Sequence, residues 1–90
     1  MSAPKFPLGQ VVITQNALES LHPVDVAASI ARHLVGDWGD LDDEDRQANE
    51  DSLKHEGRLF SAYQDSKGTK FWIITEWDRS ATTVLLPEDY

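Results

Sequence analysis

Ninety residues make room for a single small domain, 1–90. At 40% hydrophobic and 27% charged, the chain has the make-up of a folded globular protein, and the absence of cysteine excludes a disulfide framework and any thiolate metal site. The net charge of −8 is concentrated: residues 37–56 hold nine acids against two bases, a local −7, while the remainder holds seven acids and six bases, a distribution that repels nucleic-acid backbones and favours a basic partner.

The opening "MSAPKFPLGQ" lacks the apolar stretch of a signal peptide, and no apolar run approaches the ~20 residues that cross a bilayer. The expected location is the cytoplasm, without membrane contact. "GQVVIT" (9–14) is β-rich and reads as a first strand. In "NALESL" (16–21), Asn16 is placed to cap a helical turn, with Glu19 three residues on as in a capping box. His22-Pro23 breaks the chain, and Pro23 suits the first position of a new helix. In "PVDVAASIARHLVG", Ala27, Ile30, Ala31 and Leu34 share one face, and Gly36 stands where a helix-terminating glycine belongs.

Residues 37–41 read as a loop carrying Trp38, which either folds back as a lid over the core or stands exposed as an anchor for a partner. Asp42 is a natural N-cap for a helix running to about Glu56, with Asp43, Glu44 and Asp45 at the positive end of its dipole. Ala48, Ser52 and Leu53 define a thin inner face, with Asp45 and Asn49 beside it; Asp43, Gln47, Glu50 and Lys54 face outward. Asp42 with Arg46, Glu50 with Lys54, and Asp51 with His55 have the spacing of helical ion pairs.

Beyond Gly57 the character changes. "RLFSAYQ" (58–64), "TKFWIITEW" (69–77) and "ATTVLLP" (81–87) are rich in β-branched and aromatic residues, with turns at "DSKG" and "DRS". Along the middle strand Phe71, Ile73, Thr75 and Trp77 point one way and Trp72, Ile74 and Glu76 the other, so both faces need covering. The expected fold is α+β: two to three short helices, in a helical part of about 16–57, on a three- to four-stranded antiparallel sheet ending in a β-meander at about 58–87.

The acidic run fails as a calcium loop. Begun at Asp40, it would need glycine at its sixth position and has Asp45, and its twelfth residue is Asp51 rather than glutamate. His22, His33 and His55 match no compact metal-ligand spacing. A minimal nuclease set would be His33 or His55 with Arg79 and Thr82 or Thr83, but an RNA would have to approach the acidic segment through its own phosphates. No glycine elbow or phosphate-cradling loop precedes a hydroxyl.

The stretches "GDWGDL", "EDRQAN", "GRLFSAY" and "WIITEWDRSATTVLLPEDY" resemble a family of short, largely uncharacterised bacterial proteins carried on plasmids, phages and other mobile elements. The resemblance runs from about Phe6 to Tyr90, and Trp77 departs from it, standing where relatives have a small residue. Members are labelled plasmid-related or as a modification subunit of type I restriction systems. The second label needs a cofactor-binding α/β domain with a Gly-rich loop, which this chain lacks. The resemblance brings no catalytic residues.

Three readings follow. The leading one is a non-enzymatic inhibitor or modulator, antirestriction- or anti-CRISPR-like, that engages a basic protein surface such as the nucleic-acid groove of a host defence or restriction complex. Its binding residues would be Asp37, Trp38, Asp40, Asp43, Gln47, Glu50 and Asp51, with outward carboxylates one helical turn, ~5.4 Å, apart, like backbone phosphates. No cofactor or metal is expected. The alternatives are a compact RNase-like toxin and a structural subunit whose sheet pairs with its own copy.

Overall fold

The computed structural model describes residues 3–90. Met1 and Ser2, where the segment inspected for a signal peptide begins, lie outside the described residues. In chain order the elements are β1 (Gln10–Ile13), α1 (Gln15–Ser20), α2 (Pro23–Leu34), α3 (Asp43–His55), β2 (Leu59–Gln64), β3 (Lys70–Thr75), β4 (Ala81–Leu85) and a 3-10 turn at Pro87–Asp89. The architecture is α+β, as the sequence implies. Among the described residues no helix is long and apolar enough to cross a membrane.

The sheet corrects one expectation: it is mixed, not purely antiparallel. Its order is β1-β4-β3-β2, with β2–β3 and β3–β4 antiparallel and β1 parallel to β4. The helical stretch between β1 and β2 returns the chain to the end of the sheet where β1 began. Two hairpins then bring β4 beside β1 in the same direction. A parallel neighbour needs such a long crossover, whereas the meander needs only tight turns. The Asp65–Gly68 turn is one of these: Asp65 Oδ1 accepts from Lys67 N and Thr69 N at 2.9 Å each, and Gly68 has φ +85°.

Local signals mostly hold, with shifts where a distant partner intervenes. Thr14, not Asn16, caps α1 by accepting from Ala17 N; Asn16 instead donates to Asp89 Oδ1 at 2.7 Å. His22 caps α2 through Nδ1, and Gly36 follows that helix with φ +81°. The inner face of α2 is rotated from the expected one. Ser29 and His33 are buried and Val26, Ile30 and Leu34 half-buried, while Ala27 and Ala31 are exposed. Trp77, expected on the buried side of the middle strand, lies past the strand end in the turn and is 58% exposed.

Two apolar clusters sit between helices and sheet. One gathers Leu21, Tyr63, Phe71, Ile73, Val84 and Leu86; the other gathers Phe6, Trp38 and Leu59 under Leu34, Leu41 and Leu53. The opposite face of the sheet is only partly covered by the chain itself. Trp72 meets Phe60 and Tyr90 edge-on at 5.1 and 5.8 Å, and Arg58 lies over the Tyr90 ring, leaving a groove of about 280 Å³.

Between the two clusters runs a buried polar chain whose proton directions can be deduced. Thr82 Oγ1 donates to the Leu8 carbonyl at 2.7 Å, so its single proton is spent. It therefore accepts from Thr75 Oγ1 at 2.7 Å, and Thr75 in turn accepts from His33 Nε2–H at 2.9 Å. The neutral ring then presents Nδ1 as an acceptor to the Ser61 hydroxyl at 2.6 Å. His33 is fully buried, with Phe6 and Trp38 against it edge-on at 5.2 and 5.6 Å. This burial pushes its pKa down to about 4, because a charged imidazolium would stand in an apolar shell with no carboxylate beside it.

Candidate functional site

The candidate surface is the loop from Asp37 to Leu41 and the outer face of α3. The loop is held from both sides. Asp37 pairs with Arg32 through two contacts of 2.8 and 3.2 Å, and this hydrogen-bonded cation keeps its carboxyl below the usual range. Tyr63 donates its phenol proton to the Asp37 carbonyl at 2.5 Å, and burial drives that phenol's pKa up to about 12. Arg46 reaches back to the carbonyls of Leu41 and Gly39, at 3.0 Å each.

Trp38 takes the lid alternative rather than the exposed anchor. Only 4% of it is accessible; it stacks on Phe6 at 6.4 Å and donates its indole N–H to Glu50 Oε2 at 3.0 Å. Glu50 is thereby half-buried and engaged, not one of the outward carboxylates. The inner face of α3 centres on Asn49, 3% exposed, and not on Ala48, which is exposed. At about 100° per residue, Asp43, Glu44, Gln47, Asp51 and Lys54 then lie on the far side. None of the three expected helical ion pairs forms among the described residues: Arg46 and Glu50 have the partners just given, and Asp51 accepts from Gln47 at 3.2 Å.

The buried asparagine explains why loop and helix sit where they do. β2 is an edge strand, and an unpaired edge invites other strands. Asn49 closes it by accepting from Phe60 N at 2.9 Å and donating to Phe60 O at 2.7 Å, standing in for a strand's backbone. Two residues on, Ala62 N donates to Trp38 O at 3.2 Å and Ala62 O accepts from Asp40 N at 2.8 Å, a short parallel bridge through Gly39. Sequence reading placed Asn49 beside the inner face but missed its role at the strand edge. The available signal was an amide beside the inner face of a helix, where burial is costly unless both its donor and its acceptor are met.

Gly39 is the tightest point of this seal. Its φ is +76°, and an added Cβ would stand 2.0 Å from Ala62 O and 2.7 Å from the Tyr63 ring. Gly39→Ala is expected to break the bridge, costing about 1–2 kcal/mol for the backbone conformation alone. Urea unfolding and faster amide exchange at Ala62 would measure it.

What remains free is smaller than the sequence implied. Asp40, Asp43 and Glu44 are exposed, and among the described residues no hydrogen bond is made to their side chains; Asp42 is spent as N-cap on Asp45 N. Asp43, Gln47 and Asp51 form one stripe of α3, with successive members about 6 Å apart along the axis. Of the seven residues proposed from sequence, Asp37, Asp40, Asp43, Gln47 and Asp51 are at the surface, while Trp38 and Glu50 act as its inner support.

The structure takes His33 out of the nuclease constellation. His33 is enclosed, with both ring nitrogens occupied. The Arg79 guanidinium is consumed by the carbonyls of Ser52, Gly57, Glu76 and Trp77. His55 stands exposed in the last turn of α3, and His22 is engaged at the start of α2. Comparison with known proteins adds no constraint: no family model, curated protein or solved structure matches this chain.

Proposed function

We propose that this protein is a non-enzymatic inhibitor or modulator that presents the Asp40–Asp43–Gln47–Asp51 face to a basic protein surface. The observation that carries the reading is the uneven charge: a local −7 within a total of −8 falls on residues 37–56, and part of it has no structural use. Carboxylates that cap helices or hold loops are explained by the fold. Asp40 has no such use, and Asp43 and Glu44 serve only the positive end of the α3 dipole without a side-chain hydrogen bond; such a rigid stripe of negative charge is matched by the positive groove of a nucleic-acid-binding protein. The resemblance to mobile-element proteins makes a host defence or restriction complex the proposed target, with the carboxylates substituting for backbone phosphates.

Charge reversal tests this, and the structure chooses the positions. Glu50 is left intact because reversing it would strand the Trp38 indole. Asp43→Lys with Asp51→Lys leaves every core contact in place. Affinity purification of the wild-type protein from host lysate should yield a basic partner whose binding weakens as salt shortens the Debye length. The double variant should bind it about a hundredfold more weakly. A partner retained undiminished by the double variant, or one lacking a basic surface, overturns the proposal.

A further inference from the structure

We propose that β1 is the contact edge of a symmetric dimer, in which the strand pairs antiparallel with β1 of a second copy. The two edges of the sheet are treated differently. β2 is sealed by Asn49 and by the 38–40 bridge, whereas among the described residues β1 pairs with β4 alone. The parallel register, with Gln10 N bonded to Ser80 O and Thr14 N to Val84 O, turns the N–H and C=O of residues 10, 12 and 14 toward β4. Those of Val11 and Ile13 therefore point outward, and no partner for them occurs among the described residues. An unpaired edge with valines 48% (Val11) and 41% (Val12) exposed is the kind that proteins ordinarily blunt with charge, proline or a bulge. None of these interrupts Gln10–Ile13.

The strand is complementary to itself in one register. If Val11 faces Ile13 of the second copy, each pair exchanges two backbone hydrogen bonds, and the twofold axis passes through Val12. All four outward-pointing groups are then satisfied on each chain. Val11 and Ile13 share the helix-covered face, where an apolar groove of about 190 Å³ lined by Ile13, Leu18, Leu21 and Val26 opens beside the edge. Val11 of the second copy would lie at its mouth. On the other face the two Val12 side chains would meet directly.

Charge favours a second copy as the occupant. The strand from Gln10 to Thr14 carries no ionisable side chain, and the −7 segment packs on the far edge of the sheet. Pairing through β1 would give the order β2-β3-β4-β1-β1-β4-β3-β2, with the acidic faces at opposite ends. Seven strand spacings separate the terminal strands by roughly 34 Å, several Debye lengths in physiological salt. This proposal does not depend on what the acidic face binds.

Sedimentation equilibrium and engineered cysteines test it. At about 1 mM chain the wild type should sediment at twice its 10.1 kDa. Val12→Lys should return it to 10.1 kDa with unchanged circular dichroism, since it sets two ammonium groups opposite each other at the axis. Because the chain has no cysteine, Val12→Cys can form only an inter-copy disulfide. Opposed Cα atoms of a non-hydrogen-bonded pair are about 4.5 Å apart, within disulfide range. Mild oxidation should therefore link Val12→Cys readily and Val11→Cys at least tenfold more slowly. A monomeric wild type at that concentration, a dimer that survives Val12→Lys, or equal linking of the two cysteine variants would overturn the proposal.

Discussion

His33→Ala is expected to lower the unfolding free energy by about 4 kcal/mol, a large share of what a domain of this size has. The ring lies between both apolar clusters, so truncation opens a cavity lined by Phe6 and Trp38. It also strands the Ser61 proton and the Thr75 lone pair in a dry interior, and unmet buried polar groups cost about 1–3 kcal/mol each. Chemical denaturation at pH 7 measures the loss.

The same residue sets a pH dependence whose sign follows from its lowered pKa. The unfolded chain binds a proton near the ordinary imidazole value of 6.5, and the folded one only near pH 4. Between those values the unfolded state holds more protons, so stability is complete above pH 6.5 and declines as pH falls toward 4. The decline attributable to His33 is about 3 kcal/mol. The carboxyls of Asp37 and Asp89 are also shifted downward, from 3.8, by hydrogen bonds, so their contributions are lost only below that window. His33→Gln, whose amide does not titrate, should remove the slope between pH 6.5 and 4. A slope that persists unchanged in this variant would assign it to other groups.

Trp38→Ala should cost a similar amount, about 3–5 kcal/mol, for a different reason. It removes the lid over Phe6 and Leu59 and releases Glu50. Loosening the loop also loosens the Ala62 bridge, so amide exchange at Ala62 should accelerate beyond what global destabilisation explains. Trp38→Phe separates packing from hydrogen bonding: it keeps a ring against Phe6 and should lose only about 1 kcal/mol with the indole N–H. Equal losses in the two variants would show that the Glu50 bond, not the lid, is the main contribution.

Much of this fold was legible where the controlling forces are local. The three β-runs, the Asp65–Gly68 turn, the Asp42 cap and Pro23 at a helix start are each decided within a few residues. The misplaced features share a non-local cause. Ala27 and Ala31 looked like the inner face of α2 because they are apolar. His33 occupies that face because Ser61 and Thr75, from two different strands, supply its partners, and Thr82 on a third accepts from Thr75 behind them. Asn49 displaced Ala48 on α3 because Phe60 offers it a free backbone edge. Glu50 left the outward set because Trp38, twelve residues earlier, folded back onto it. Periodicity ranks residues by polarity alone, and a polar residue whose partners lie on another element inverts that ranking.

The sealed β2 edge has a consequence for stoichiometry. A sheet with two open edges can add subunits indefinitely, and its natural product is a fibre. Here the Asn49 amide and the Gly39 bridge occupy one edge completely enough that a chain joined through β1 has nowhere left to grow. Each molecule then has a valence of one, and assembly stops at two. Opening that seal, for instance with Asn49→Ala, would raise the valence to two and convert a closed pair into a species that polymerises with concentration.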